Sequence, residues 1–468
     1  MMHRLLAITT IALLGVGCSH PVPTGTAITN VTIIDAVNGV RENQSVIFVG
    51  DKITAIQPAD AELNVPESID GTGKYLIPGL WDFHVHLTYD DRFTESMPAL
   101  FLSYGITSVR DTGGLLHKVL PVVEKMRADD ALAPRVFFAG PLLDGNFVVY
   151  DGDGRPEIGV QNATPSDART MITGLKEQGV DFIKIYEMVT PEVFAVLVEE
   201  AQARGLPMDG HVPLSMRARD VGPHVQSLEH LRNIEMDCAA NPEALLAERR
   251  RRLANPEGMP GGDLRSSLHG LQRLPAVAAY DAGECAAVIA AMANTIQVPT
   301  LRLNSLALQP PFARSDWDEV LGKLPAEVAD EWRETGARSG RSGPGVDNTY
   351  AEFSLHLVKL MHDAGVPIGA GTDTPIGFAA PGYSLHSEME MLVRAGLSPL
   401  EALRSATVRP AEFFGLSGEM GTVEQGRLAD LVLLSGNPLE DITNTRTVQA
   451  VVTRGELLTR EELDALVR

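Results

Sequence analysis

The residues best suited to chemistry are four histidines and an aspartate in short apolar segments. His84 and His86 alternate in LWDFHVH, so in a strand both side chains project from one face. Further along the chain, His211 and His230 each end or nearly end a similar segment, and Asp373 ends PIGAGTD. Imidazole nitrogens and carboxylate oxygens are suitable ligands for zinc and related divalent ions. The set therefore predicts a metal site.

A lysine lies in another of these apolar segments. Lys184 is the only charged residue of FIKIY. Burying an ammonium without a partner is costly, so we expect the side chain to be paired, neutralised or covalently modified. A structural ion pair inside the fold and a role in the metal site are both consistent with the sequence.

The segments that carry these residues alternate with amphipathic stretches, which is typical of an α/β fold. Two of those stretches begin with Thr-Pro, a helix N-cap followed by a first-turn residue. We predict a (β/α)8 TIM barrel rather than an open doubly wound sheet, since no GxGxxG follows the first strand. The eight predicted strands are 80–86, 105–111, 135–140, 181–186, 207–212, 225–230, 296–300 and 367–373.

Strand-end positions of such a barrel face the active site. Arg110, Tyr186 and Arg302 occupy these positions and are therefore candidate substrate-binding residues. An arginine there is able to clamp a substrate carboxylate, and Tyr186 is able to donate to an oxyanion. A salt bridge or cap at the strand end is the alternative for each. Of the remaining histidines, His386 is the one expected to reach the rim, and His269 shows no pattern.

The flanking segments predict a second domain. Residues 27–76 and 416–460 show short alternating runs broken by Gly, Asn and Asp, which indicates antiparallel strands. We expect them to form one composite β-sandwich beside a barrel at 77–415. Residues 236–292 interrupt the barrel pattern as a helical insertion, either a lid or a solvated excursion. Cys238 and Cys285 lie within it and are able to pair in an oxidising compartment.

The N-terminus predicts export. Arg4 precedes the apolar run from Leu5 to Gly17, which is too short to span a bilayer comfortably, and Cys18 follows directly. The segment 1–18 resembles a bacterial lipoprotein signal in which Cys18 is lipidated, with a plain secretory signal as the alternative. We therefore expect a protein anchored by lipid, at the periplasmic face of the outer membrane if Ser19 acts as the sorting residue, or a periplasmic one.

Composition excludes several classes of protein. Hydrophobic residues make up 44% and charged residues 21% of the 468 residues, which excludes a disordered chain, a collagen and a coiled coil. The 61 acidic and 39 basic residues give a net charge of −22, which argues against a nucleic-acid partner. The sequence leaves open whether the chain forms a homo-oligomer.

Taken in order, HVH, the lysine of the fourth strand, GHV, LEH and GTD resemble the motifs of the amidohydrolase superfamily. Within that superfamily, the motifs resemble those of the imidazolonepropionase and Xaa-Pro or Xaa-Arg dipeptidase-like members. It implies two divalent metal ions, zinc being expected and manganese, iron or cobalt the alternatives. By the family pattern, His84, His86 and Asp373 hold one ion and His211 and His230 the other. Lys184, as a carbamate formed with CO₂, bridges them.

The resemblance also implies a reaction. A hydroxide bridging the two ions attacks the carbonyl of an amide, dipeptide or cyclic amide, and Asp373 moves the proton to the leaving nitrogen. Ester or lactone hydrolysis at the same site is one alternative. A non-catalytic surface protein that binds a ligand is the other. The loop 141–157 lacks the histidine that dipeptidase-like members carry there, which weakens the prediction of a peptide substrate.

Overall fold

The computed structural model describes residues 25–339 and 347–468, so the predicted signal segment and Cys18 lie outside the described residues. The strands are numbered β1 to β17 in chain order: Thr26–Asp35, Gly39–Val49, Lys52–Pro58, Glu67–Asp70, Tyr75–Pro78, Leu80–Val85, Ile106–Asp111, Arg135–Phe138, Leu142–Asp144, Gly159–Gln161, Ile183–Ile185, Met208–Gly210, Ser227–Glu229, Ile296–Val298, Leu431–Leu434, Val448–Thr453 and Glu456–Thr459.

The α-helices are numbered α1 to α18 over the same two ranges: Asp91–Thr94, Met97–Ser103, Leu116–Arg127, Pro165–Glu177, Pro191–Ala203, Ala218–Val221, Ile234–Asp237, Pro242–Leu253, Gly261–Ala278, Ala282–Ala291, Leu301–Asn304, Trp317–Leu321, Ala326–Arg338, Thr349–Asp363, Tyr383–Arg394, Pro399–Ser405, Val408–Phe413 and Arg460–Leu466. Within the described residues, no helix combines the length and the apolar character needed to cross a lipid bilayer.

Strands from the two ends of the chain share one sheet. Its order is β17-β16-β15-β5-β1-β2-β3, with β4 paired to β1. The predicted composite domain is therefore built on one continuous hydrogen-bonded sheet. Its two halves meet at β5, which pairs with β1 on one side and with β15 on the other. Ile33, Phe48 and Leu431 belong to its buried core.

The strands of the central region are parallel, which agrees with the predicted α/β fold. They form a three-stranded sheet, β6-β7-β8, and a six-stranded sheet, β10-β9-β11-β12-β13-β14. Each of the first seven predicted strand segments contains an observed strand, shorter than predicted. Because the strands fall into two sheets, their pairing alone does not establish a closed barrel.

The eighth predicted strand, 367–373, is not a regular strand, yet its backbone bonds to both parallel sheets. Phe83 N donates to Ala370 O at 3.0 Å, and Gly369 N donates to Gln297 O at 2.8 Å. A Cβ at Gly371 would lie 2.7 Å from the Cβ of His84, so only glycine permits this close approach. The segment therefore lies directly beside β6, the strand that carries His84.

A buried carboxylate fixes the same contact. Asp82 Oδ1 accepts from Thr372 N at 3.0 Å, and Asp82 Oδ2 accepts from Thr372 Oγ1 at 2.6 Å. Burial raises the pKa of Asp82 to about 7, although these hydrogen bonds act to lower it. Asp82 thus fixes the position of the residue before Asp373.

The predicted insertion, 236–292, begins within α7 and contains α8, α9 and α10. A disulfide between Cys238 and Cys285 joins its two ends. Ala240 N donates to Ala279 O at 2.8 Å, and Asp281 N donates to Cys238 O at 2.8 Å, so the backbone is bonded beside the disulfide as well. The structure thus shows the pairing of the two cysteines, which the sequence alone left open.

We predict that protein expressed from Ser19 onward, which lacks Cys18, has no free thiol when denatured without reductant. Reduction should lower the free energy of unfolding by about 2–4 kcal/mol, because the crosslink closes a long loop in the unfolded chain. Thiol titration and urea unfolding with and without reductant measure both effects. Two free thiols in the unreduced protein would contradict the pairing.

Candidate active site

The four predicted histidine ligands are each held through Nδ1. His84 Nδ1 lies 2.5 Å from Glu229 Oε2, and His86 Nδ1 lies 3.0 Å from Gly113 O. On the neighbouring strands, His211 Nδ1 lies 2.7 Å from Glu187 Oε1, and His230 Nδ1 lies 2.8 Å from Thr300 Oγ1. With Nδ1 engaged, the Nε2 atom of each ring is the nitrogen left for a ligand, which is the arrangement that metal-binding histidines adopt.

Three of these Nε2 atoms converge on Asp373. His84 Nε2 and His86 Nε2 lie 3.3 Å and 3.2 Å from Asp373 Oδ1, and His230 Nε2 lies 4.0 Å from Oδ2. Ligand atoms of His84, His230 and Asp373 all lie within 4.8 Å of one another. The ring of His211 is 5.0 Å from that of His230, centroid to centroid. The structure thus brings the predicted histidines and Asp373 together.

Three of the four rings are held in the neutral form that binds a metal. Burial lowers the pKa of His84 and of His211 to about 3, and burial holds the pKa of His230 well below its ordinary value. For His86, burial is outweighed by Asp373, which raises the pKa of that ring. Three imidazoles held neutral, together with a carboxylate that also faces His86 Nε2, are the donors of a zinc-type site, so the residues present fit the ions that the family resemblance implies.

Lys184 lies in the same cavity as these residues, and its side chain is 1% exposed. Its Nζ donates to Asp209 Oδ2 at 2.9 Å. The ion pair accounts for the buried ammonium, so burial alone does not require the predicted carbamate. The place of Lys184 in the cavity lining beside the histidines is equally the place that a role in the metal site requires.

The prediction that Arg110 contacts substrate is wrong. Arg110 is fully buried and is absent from the cavity lining; it donates to Phe83 O, Ser227 Oγ and Glu229 Oε1 at 2.7, 2.9 and 2.6 Å. Its guanidinium carbon also lies 3.5 Å from the Phe83 ring centroid. All of these contacts hold Arg110 beneath the site, where it supports the carboxylate that fixes His84.

Arg302 is likewise not placed to contact substrate. It is in α11, and its guanidinium donates to the carbonyls of Ile376 and Gly377 at 2.9 to 3.0 Å. These bonds secure the turn that follows Asp373. The third candidate, Tyr186, does line the cavity, with its ring centroid 4.5 Å from that of His211.

The cavity that contains the histidines has a volume of about 380 Å³, which is large enough for a small organic ligand. All six residues of the predicted metal site line it: His84, His86, Lys184, His211, His230 and Asp373. Additional lining comes from Leu142, Tyr150, Ile158, Tyr186, Arg232, Arg265, Arg273, Leu303, Asn304, Tyr350 and Ile376.

Sequence reasoning missed the carboxylate that organises one side of the site. Glu187 is fully buried, and besides His211 it contacts two residues of α9. Arg265 Nη2 donates to Glu187 Oε1 at 2.7 Å, and His269 Nε2 lies 2.6 Å from Oε2. Arg265 and His269 are four residues apart and so share a helix face, which is the signal that could have found them.

Two expectations about other histidines are corrected. His269, which showed no pattern in the sequence, belongs to the contacts around Glu187. His386 does not reach the rim: it is fully buried, with Nδ1 2.9 Å from Thr445 Oγ1 and Nε2 2.9 Å from Tyr104 O. Asp209 and Glu229 were also missed. Each is a charged residue within a short buried strand, which is the feature that identified Lys184 in the sequence.

Comparison with known proteins confirms the resemblance to amidohydrolases. Residues 348–458 match the family model described as Amidohydrolase family. The chain is 39% identical over 103 residues to the ochratoxinase of Aspergillus niger, which is 22% of this chain and 20% of that protein. It is 33% identical over 122 residues to the imidazolonepropionase of Symbiobacterium thermophilum, or 25% of this chain and 28% of the other.

The chain thus matches only 20% and 28% of the length of these two curated relatives. A solved structure of a Xaa-Pro dipeptidase covers far more: 93% of this chain and all of the other, with a TM-score of 0.64 and 20% identity. At that identity the likeness concerns the fold.

We predict that Glu187→Gln lowers the affinity for zinc about 10- to 100-fold, because the amide no longer accepts from His211, Arg265 and His269 together. Calorimetric titration of the metal-free protein with zinc measures the change. Glu235→Gln is the matched control, since Glu235 is also buried but pairs with Arg273 and contacts none of the predicted ligands. Equal zinc affinity in both variants would contradict a positioning role for Glu187.

Proposed function

We propose that this chain is a metal-dependent hydrolase that cleaves a carbon–nitrogen bond in an amide, dipeptide or cyclic amide. One observation carries the proposal: three histidine Nε2 atoms converge on the Asp373 carboxylate within a cavity of substrate size. The matched family and the names of the relatives agree with this reaction class.

The proposed site holds two divalent ions. His84, His86 and Asp373 would bind one, and His211 and His230 the other, with Lys184 as a carbamate contributing to both. Ions held there supply Lewis-acid chemistry, polarising a carbonyl and lowering the pKa of water. These ligands lie in or directly after β6, β12 and β13 and at the end of the 367–373 segment, which supports one shared site.

The side chains provide the proton transfers. Asp373 would take a proton from the attacking water and pass it to the leaving nitrogen, since its carboxylate lies at the centre of the site. The histidines that contact it hold the pKa of Asp373 well below its ordinary value against the effect of burial, so it is ionised and able to act as a base. Burial raises the pKa of Tyr186 well above its ordinary value, so its hydroxyl remains a donor for an oxyanion.

The architecture we propose around this site is a closed (β/α)8 barrel. The backbone bonds of 367–374 to β6 and to Gln297 support closure on one side, and Asp181 N donating to Phe138 O at 2.9 Å supports it on the other. We also propose that the chain is exported and anchored through Cys18. The disulfide between Cys238 and Cys285 is independent support for an oxidising compartment.

The first test is Asp373→Asn in zinc-supplied protein, assayed against panels of N-acyl amino acids, dipeptides and cyclic amides. The wild type should hydrolyse a member of a panel, and the variant should lose about 100-fold or more of that kcat because the amide cannot accept the proton. Metal content measured on both proteins shows whether the site is still loaded. A variant that keeps wild-type kcat with full metal would contradict the role of Asp373.

Lys184→Ala tests the bridging carbamate. If Lys184 is carbamylated, the variant should lose at least one equivalent of metal, and a short carboxylic acid such as acetate should partly restore it. Elemental analysis of protein purified with bicarbonate gives the count. Asp209→Asn is the matched variant, because it removes only the other half of the ion pair. If Lys184→Ala keeps the metal content of the wild type, and both variants lose a similar free energy of unfolding, the lysine is a purely structural residue and the carbamate is contradicted.

A further inference from the structure

Three arginines line the same cavity, and two of them are neutralised. Arg265 Nη2 lies 2.7 Å from Glu187 Oε1, and Arg273 Nε lies 3.5 Å from Glu235 Oε1. Both carboxylates are buried, at 0% and 2% exposure, so these pairs are shielded from water. The positive charges of Arg265 and Arg273 are therefore balanced within the protein.

Arg232 is different. Within residues 25–339 and 347–468, no carboxylate oxygen lies within 4 Å of its guanidinium, and the polar group that faces it is the neutral hydroxyl of Tyr350, which also lines the cavity. The remaining residues, 1–24 and 340–346, contain no Asp or Glu that could serve as a partner. A protein with a net charge of −22 therefore keeps one arginine unpaired in its candidate active site. A cavity-lining guanidinium without a counter-charge is a binding position for an anionic ligand.

The backbone holds Arg232 in this position. It lies two residues after His230, and the residues around it, His230, Leu231 and Asn233, have φ values of +57°, +57° and +67°. Arg232 N donates to Glu229 O at 3.1 Å, and Asn233 Nδ2 donates to Val212 O at 2.8 Å. Both His230 and Arg232 consequently line the cavity.

We propose that Arg232 binds a carboxylate of the substrate, so that the hydrolysed amide carries one negative charge. The inference rests on the proposed function and names its substrate class. A single unpaired guanidinium matches a monoanion, and its planar donors fit both oxygens of a carboxylate. A phosphate monoester carries nearly two charges and would leave one unbalanced. The apolar lining from Leu142, Ile158 and Leu303 suits an apolar group on the same molecule.

The test uses matched probes that differ only in this charge: the N-acetyl derivatives of phenylalanine, leucine and glycine, and their carboxamides. Calorimetry on zinc-supplied wild type should show at least one acid binding about tenfold or more tightly than its carboxamide. Arg232→Gln should abolish that preference, and Arg232→Lys should restore part of it. Arg251→Gln, which removes an exposed arginine of α8 paired with Glu248, is the control and should retain the preference.

Equal binding of every acid and its carboxamide by the wild type, or an unchanged preference in Arg232→Gln, would overturn the inference. Tighter Arg232-dependent binding of inorganic phosphate than of the acids would also overturn it. Hydrolysis separates this result from the proposed function. If the wild type cleaves neutral and acidic amides equally, only the substrate class fails. If Arg232 binds the acids but zinc-supplied protein cleaves no amide, the substrate class stands as a binding preference and the proposed function fails.

Discussion

The site depends on how the Nδ1 atom of each histidine ring is held. A free imidazole is able to rotate and present either nitrogen, so a set of rings presents Nε2 in common only if every Nδ1 is already engaged. Two of the four anchors are buried carboxylates, Glu229 for His84 and Glu187 for His211. A buried carboxylate is stable only when it is paired, so each anchor requires further charged residues of its own.

Those further residues account for the buried charge beneath and beside the cavity. Arg110 neutralises Glu229 from below, and Arg265 neutralises Glu187 from the insertion. Lys184 and Asp209 form a third pair in the same region. Removing one member of such a pair leaves its partner charged and buried, which costs more than the pair contributes. The space between the parallel strands is thus polar, where the interior of the proposed barrel would ordinarily be filled by aliphatic side chains.

Much of this arrangement follows from the sequence, because alternation along a strand fixes which side chains share a face. Alternation identifies His84 and His86, the ends of predicted strands identify His211, His230 and Asp373, and the structure brings the five together. Arg110 and Arg302 show the limit of the method. A strand-end position says that a side chain is near the site, but not whether its donors are already used by neighbouring strands. Glu187 and α9 were missed because their contacts join segments about 80 residues apart.

The insertion is better understood as a fixed wall than as a lid. Lifting α9 away from the parallel strands would remove Arg265 and His269 from Glu187. That carboxylate, which is fully buried, would then lie unpaired beside His211, whose ring it orients. The same movement would separate Arg273 from Glu235 and from the Tyr350 ring, which it contacts at 4.4 Å. Because these losses fall on buried charges, they are far larger than the cost of moving an exposed helix. The wall therefore presents arginines that the protein has already neutralised, whereas Arg232, which precedes the insertion in the chain, has no ion-pair partner among the described residues.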